Sequence, residues 1–312
     1  MTSSLVHAYV RIMRFPQLLE PGSRVALVSP AGPLRNQSDL ERALENVRSF
    51  DWEPIVGAHV LERDGYLAGS DEHRLADLNR FAADPTVDAV WCIRGGYGAM
   101  RLLDGLDVGA WRQRPKTLIG YSDITALHAA ITKSARLVTF HGPTARAELT
   151  ELTRRSLWDI VACGANGYRV ISNEIECLRP GRARGRLVGG NLALVSALVG
   201  TPYAYDLDGA ILVIEDVNEA VYRIDRMLMQ LWLSGGLRKV AGLAFGLFTE
   251  IPPEPSDAER PLERVLREFA DRCGVPAVAG MPVGHVADHV TLPIGAVAEL
   301  DADARMLIIE PS

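Results

Sequence analysis

Ser122 stands where a buried strand gives way to a helix. In Leu118-Ile-Gly-Tyr-Ser-Asp-Ile-Thr125, the run from Thr117 to Ile119 reads as a strand, Gly120 stops it, and a helical pattern begins just past the serine. A serine on such a corner keeps its hydroxyl free and has fresh backbone N–H groups beside it, which is how α/β hydrolases present a nucleophile. The octet departs from Gly-x-Ser-x-Gly, because Ile124 occupies the place of the second glycine. Taken alone, such a serine is more commonly an ordinary helix N-cap. Acyl transfer also needs a base to take the hydroxyl proton and an acid to orient that base.

Seven histidines are available as the base. His7, His59 and His73 fall in the N-terminal extension, a loop and a surface helix. His128 lies on the helix after Ser122, where packing is its ordinary role. His141 follows a strand in His141-Gly-Pro143. His285 ends the loop segment Met281-Pro-Val-Gly-His285, with His289 close behind. The best acid is Glu215, which directly follows the apolar run Ile211–Ile214 and must leave the core or be paired, since an unpaired buried charge is expensive.

These residues need elements to hold them. Arg24–Ser29, Val87–Ile93 and Thr117–Ile119 read as strands, with a short one near Pro54–Val56. Helical patterns alternate with them, one opened by a capping box at Ser38 and Glu41 and one capped by Ser70. Such alternation predicts a parallel sheet covered on both faces, with ligands at the carboxyl ends of the strands. Both Gly95-Gly96 and Ser122 fall at such ends. The expected organisation is an extension over 1–16, an α/β unit over 17–150, a linker over 151–183 and a β-rich α+β unit over 184–312. The second unit has a helix over about 220–233, with Ile224, Met227, Leu228 and Leu231 on one face.

Bulk properties exclude several classes. The 312 residues are 48% hydrophobic and 23% charged, with a formal net charge of −6, so no basic field exists to draw nucleic acid or an anionic membrane. No apolar run approaches a membrane span. The four cysteines are scattered without metal-site or disulfide spacing, which with the mixed character of Met1–Pro16 suggests a cytoplasmic protein with reduced thiols. Neither a dinucleotide fingerprint nor a P-loop lysine follows the first strand. No metal or cofactor is expected.

Five short motifs occur in order: Arg94-Gly-Gly-Tyr-Gly98, Gly120-Tyr-Ser-Asp123, Gly189-Gly-Asn191, Ile214-Glu-Asp216 followed by Tyr222-Arg-Ile-Asp-Arg-Met227, and Pro282-Val-Gly-His285. Together they resemble the LD-carboxypeptidases of bacterial murein recycling, a serine-peptidase family that also contains microcin C immunity proteins. The resemblance runs from about Pro21 to Ile309. It implies a flavodoxin-like N-terminal domain, a small swivelling C-terminal domain, a homodimer, and a triad on Ser122, Glu215 and His285. It further implies removal of the terminal D-alanine of a murein tetrapeptide through an acyl-enzyme.

On that reading, the backbone N–H groups of Gly95, Gly96 and Asp123 form the oxyanion hole, and glycine suits the turn because the substrate must approach the backbone. Tyr97, His141, Asn191 and Arg223 are candidate substrate contacts, and Arg94, Arg223 or Arg226 could meet a substrate carboxylate as a bidentate fork. Each has an ordinary alternative: a tight turn for the glycines, a structural histidine, a helix cap for Asn191, a solvated helix edge for Arg223. Two rival functions stand beside the carboxypeptidase. One is an immunity-type amidase acting on an aminoacyl-nucleotide, where the resemblance implies an aromatic residue stacking on the base and only Trp158 lies near the linker. The other is a non-catalytic nucleotide- or sugar-binding protein.

Overall fold

The structure, a computed structural model, describes residues 13–165 and 167–310. The first sheet takes β1 (Arg24–Val28), β2 (Glu53–Val56), β3 (Ala89–Cys92), β4 (Thr117–Gly120) and β5 (Thr139–His141) from the first half of the chain. These strands are parallel and lie in the spatial order β5-β4-β3-β1-β2. The order is flavodoxin-like, and its direction reverses between β1 and β3, where loops leaving the carboxyl ends diverge and open a crevice. β3 and β4 are buried at every residue, as strands covered on both faces must be. The connecting helices are α1 (Gln37–Arg48), α2 (Asp71–Ala83), α3 (Val108–Gln113) and α4 (Thr125–Ala135), with a 3₁₀ turn over Ala99–Gly105.

Ser70 caps α2 as expected, accepting from the His73 N–H at 3.1 Å. The cap of α1 differs from the expected Ser38. Asn36 has the extended backbone of a capping residue, and its Oδ1 accepts from the Asp39 N–H at 3.2 Å. Ser38 already lies inside the first turn and donates to Asn36 Oδ1. Of the expected extension over 1–16, the described end is tied to the first unit. Arg14 pairs with the strand edge at Leu137, its N–H donating to Arg136 O at 2.9 Å and its carbonyl accepting from Val138 N at 2.8 Å. The rest of that extension, residues 1–12 with His7 among them, lies outside the described residues.

Beyond α5 (Glu151–Val161) come β6 (Arg169–Ile171), β7 (Glu176–Arg179) and β8 (Arg182–Asn191). Then follow α6 (Leu192–Ala197), β9 (Ile211–Val217), α7 (Val221–Leu233), β10 (Gly242–Thr249), α8 (Leu262–Cys273), β11 (Ala277–Ala279), β12 (Leu292–Ile294), β13 (Val297–Asp301) and β14 (Met306–Ile309). The second sheet has the order β6-β14-β13-β8-β9-β10-β11-β7. β8 joins its halves: Arg182–Arg186 pair antiparallel with β13, and Leu187–Asn191 pair parallel with β9.

The chain crosses back once. β12 leaves the second unit and adds antiparallel to β5 at the edge of the first sheet. The stretch read as a linker is structural too, since β6 and β7 are the outer strands of the second sheet. Leu157, Ile160 and Val161 of α5 are buried in a core that also contains Trp91 of the first sheet and Ala298 of the second. Among the described residues, no helix is long and apolar enough to cross a membrane.

Candidate active site

β4 ends at Gly120, and Ser122 has φ +64°, a left-handed conformation costing a non-glycine residue on the order of 1–3 kcal/mol. The chain is held there by its surroundings. Buried His128 sets Nε2 2.8 Å from the Gly120 carbonyl, and burial pushes its pKa down to about 4, so the neutral ring donates to the strand end. Asp123 is buried and accepts from the Ala99 N–H at 2.7 Å, tying the serine corner to the start of the 3₁₀ turn. Burial raises the Asp123 pKa to about 6, against the opposing pull of that hydrogen bond.

One glycine presses on Ser122 from the β1/β3 crevice, and two more brace it. A Cβ on Gly95 would lie 2.9 Å from Ser122 Cβ, and one on Gly96, at φ +118°, would lie 3.0 Å from Gly32 Cα. The Gly32 N–H donates to the Gly95 carbonyl at 3.0 Å, so across that trans peptide the Gly96 N–H points to the opposite side. Among the described residues, the N–H groups of Gly95, Gly96 and Asp123 donate to no protein acceptor. This is donor geometry suited to an anionic oxygen.

The carboxylate and imidazole come from the second unit. Glu215 lies on β9, opposite Asn191 of β8, and is 0% exposed. Its Oε2 is 2.9 Å from Nδ1 of His285, and its Oε1 has no partner among the described residues. Gly284 allows the approach: at φ +134°, a Cβ there would lie 3.1 Å from Glu215 Oε2. With Nδ1–H donated to the carboxylate, Nε2 of His285 is left as the basic nitrogen.

A third segment holds this loop. Thr153 at the start of α5 accepts from the His289 N–H at 2.9 Å and donates to the Ala287 carbonyl at 2.9 Å, while Thr150 donates to Asp288 at 2.7 Å. Buried His289 faces both the N–H and the carbonyl of Gly284 through Nδ1, and burial lowers its pKa to about 4.

Tyr121 spans the two units. Its ring centroid is 4.8 Å from that of His285 and 4.8 Å from that of His289, and burial together with the Glu215 charge pushes its phenol pKa up to about 12. The residue before the serine thus packs on the imidazole, although among the described residues no hydrogen bond joins Ser122 to His285.

The remaining candidates divide. Tyr97 is 55% exposed and meets Tyr66 edge to face, so it stands at the rim. His141 is buried, 1% exposed, behind Tyr121 and His289; burial and the neighbouring histidines hold its pKa well below the usual range, and it offers no open face. Asn191 is consumed internally: it caps α6 through the Leu194 N–H and donates to Asp216 at 2.8 Å. Arg223 pairs with Glu219 at 3.7 Å and with the Tyr222 hydroxyl, away from Ser122 and His285 in its contacts. Arg226 lies over the Tyr222 ring. Trp158 stacks in an aromatic group with Phe50 and Trp52, so its face is occupied.

Among the described residues, one group has the donor set of a cation site: His59 and His73 stack at 4.2 Å with both Nδ1 atoms on Glu62, at 2.7 and 2.8 Å. It ties the loop after β2 to α2 and shares no residue with the Ser122 site. Sequence reasoning passed over Tyr121, Arg146, Thr150 and Thr153. An arginine shortly after several strand ends (Arg35, Arg94, Arg146) was the one available signal.

Two family models match the chain: the LD-carboxypeptidase N-terminal domain over residues 25–142 and the LD-carboxypeptidase C-terminal domain over residues 184–300. A murein tetrapeptide carboxypeptidase of Pseudomonas aeruginosa is 36% identical, over 90% of this chain and 94% of that one. The crystal structure of a muramoyltetrapeptide carboxypeptidase from Oxalobacter formigenes superposes with a TM-score of 0.83 at 32% identity, covering 93% and 100% of the two chains. The apo structure of an inactive mutant of the microcin C7 self-immunity protein MccF, an Escherichia coli protein, gives 0.88 at 24% identity, covering 95% and 98%, which speaks to the fold. The chain belongs to the LD-carboxypeptidase family and is a serine-type carboxypeptidase.

Proposed function

We propose that the protein hydrolyses the amide before the terminal D-alanine of murein tetrapeptides, with Ser122 as nucleophile, His285 as base and Glu215 as its orienting acid. The observation that carries this reading is the 2.9 Å contact between His285 Nδ1 and buried Glu215, beside a serine at φ +64° with free N–H groups. Glu215 keeps the proton on Nδ1, so Nε2 accepts the proton from Ser122 Oγ–H as the oxygen attacks the carbonyl carbon. The N–H groups of Gly96 and Asp123, with Gly95 behind them, receive the developing oxyanion; one such donor is typically worth about 2.7–4 kcal/mol of barrier. His285 then returns its proton to the departing amine of D-alanine. Water, activated by the same nitrogen, attacks the ester and frees Ser122.

The same reading makes the enzyme a cytoplasmic homodimer that serves cell-wall recycling. The amidase alternative has less support, since Trp158, its candidate base-stacking residue, is engaged with Phe50 and Trp52. Mass spectrometry of L-Ala-γ-D-Glu-diaminopimelate-D-Ala incubated with the protein tests the proposal. Loss of one alanine is expected, and an intact tetrapeptide with folded enzyme would overturn it.

A further inference from the structure

Three arginines converge on one short segment at the carboxyl end of the first sheet, and the segment carries a fourth. Arg63 donates to the Leu34 carbonyl at 2.7 Å, Arg94 donates to the Pro33 carbonyl, and Arg146 reaches Asp39 Oδ1 at 3.3 Å. Arg35 belongs to the segment itself, and its backbone N–H bonds the other Asp39 oxygen at 2.7 Å. Among the described residues, Asp39 is the one carboxylate set against these cations, and Arg94 registers the imbalance. Burial lowers its pKa first, then Arg146 and Arg35, with Asp39 opposing. Arg146 also keeps a buried Nε–H without a partner among the described residues. Arg94 and Arg146 are half-buried, where like charges are poorly screened, and an anionic ligand would relieve the repulsion between them.

The cluster adjoins the reacting groups. Arg94 immediately precedes Gly95-Gly96, and its Cζ would lie 3.7 Å from a Cβ on Gly32, the residue that fixes that turn. Arg146 is close enough to Tyr121 to act on its phenol. An amino-acid leaving group carries a single terminal carboxylate, which needs one bidentate fork. The cationic surplus exceeds that need and matches a peptide bearing several carboxylates on the acyl side.

We propose that Arg35, Arg63, Arg94 and Arg146 form a subsite that binds the carboxylates of the acyl portion of the peptide and so selects acidic substrates. The assignment rests on the proposed peptidase reading for its ligand, and on the guanidinium geometry for its chemistry.

Calorimetry on the wild-type enzyme with the product tripeptide L-Ala-γ-D-Glu-diaminopimelate, which cannot be cleaved again at the lost bond, separates the two. The tripeptide is expected to bind at least tenfold more tightly than the same peptide with its carboxylates amidated. Arg94→Gln and Arg146→Gln should each weaken the acidic tripeptide about tenfold and leave the amidated one unchanged, with melting temperatures confirming that both variants fold. Equal affinity for the two peptides, or variants that bind like wild type, would overturn the subsite even if the tetrapeptide is cleaved. Charge-dependent binding without cleavage would keep the subsite and remove the peptidase reading.

Discussion

The serine corner and the glutamate–histidine pair are built by opposite strategies. The corner is nearly contiguous: β4, Gly120, Ser122 and Asp123 are neighbours in sequence, with the Gly95 turn from the adjacent strand end pressed against them. The pair joins residues 70 positions apart, and its histidine loop is fastened by Thr150 and Thr153 from a helix more than 130 residues earlier. A strained backbone is best enforced by close packing along a short stretch of chain, whereas an orienting hydrogen bond can be assembled from remote pieces if each is separately anchored. Tyr121 packed on His285 is where the two strategies meet.

The largest effect should come from breaking the remote pair chemically without moving it. Glu215→Gln retains shape but no longer fixes the imidazole tautomer or steadies its charged form, so kcat should fall roughly 10⁴-fold. Steady-state kinetics on the tetrapeptide check this, with a melting curve to show that the fold persists. Next is the corner. In Gly95→Ala the new Cβ meets Ser122 Cβ at 2.9 Å and must displace it, and a nucleophile moved by about 1 Å loses about 10²-fold in kcat. The glutamate–histidine hydrogen bond should be unaffected, and the imidazole proton signal by NMR would report that.

Acid sharpens the comparison, because each region carries one buried histidine and one buried aspartate that respond oppositely. His128 and His289 have pKa values near 4, below the ordinary 6.5, so the stability they contribute is complete above about pH 6.5 and is lost as pH falls toward 4. Asp123 and Asp216 have values near 6, above the ordinary 3.8, so they gain stability over nearly the same fall in pH. In Asp123→Asn the offset in the serine corner is gone. The variant should lose about 2 kcal/mol more than wild type between pH 6 and pH 4, measured by urea unfolding. The smallest effect belongs to the anchor: Thr153→Val leaves the buried His289 N–H unpaired, costing about 1–3 kcal/mol of stability, and the loosened loop should lower kcat about tenfold.

This contrast also explains what could be read from the chain. The serine corner was legible because its strand, stop and turn are adjacent residues, and so was the parallel sheet, whose strands are near-continuous apolar runs. Glu215 stood out as a charge at the end of such a run. His285 was no different in its local sequence from His141 or His289, and ordered motifs shared with a family singled it out. What separates the three is tertiary: His141 and His289 are enclosed, and His285 alone faces Glu215. The return of β12 to the first sheet leaves no local mark, because three apolar residues pair equally well with any free edge. The cap of α1 went to Asn36 over Ser38 because backbone conformation, invisible in residue type, decides which side chain can reach the first N–H groups. The convergence of Arg63, Arg94 and Arg146 on residues 33–39 likewise depends on loops folding together.

The central claim is that Ser122 and His285, from different units, act as one catalytic device. Comparing kcat/KM for the tetrapeptide among Ser122→Ala, His285→Ala and the double variant tests it most directly. Either single change should remove nearly all activity, and the double variant should be no worse than the poorer single one. Losses that multiply, or a folded Ser122→Ala protein that still releases D-alanine at the wild-type rate, would contradict it.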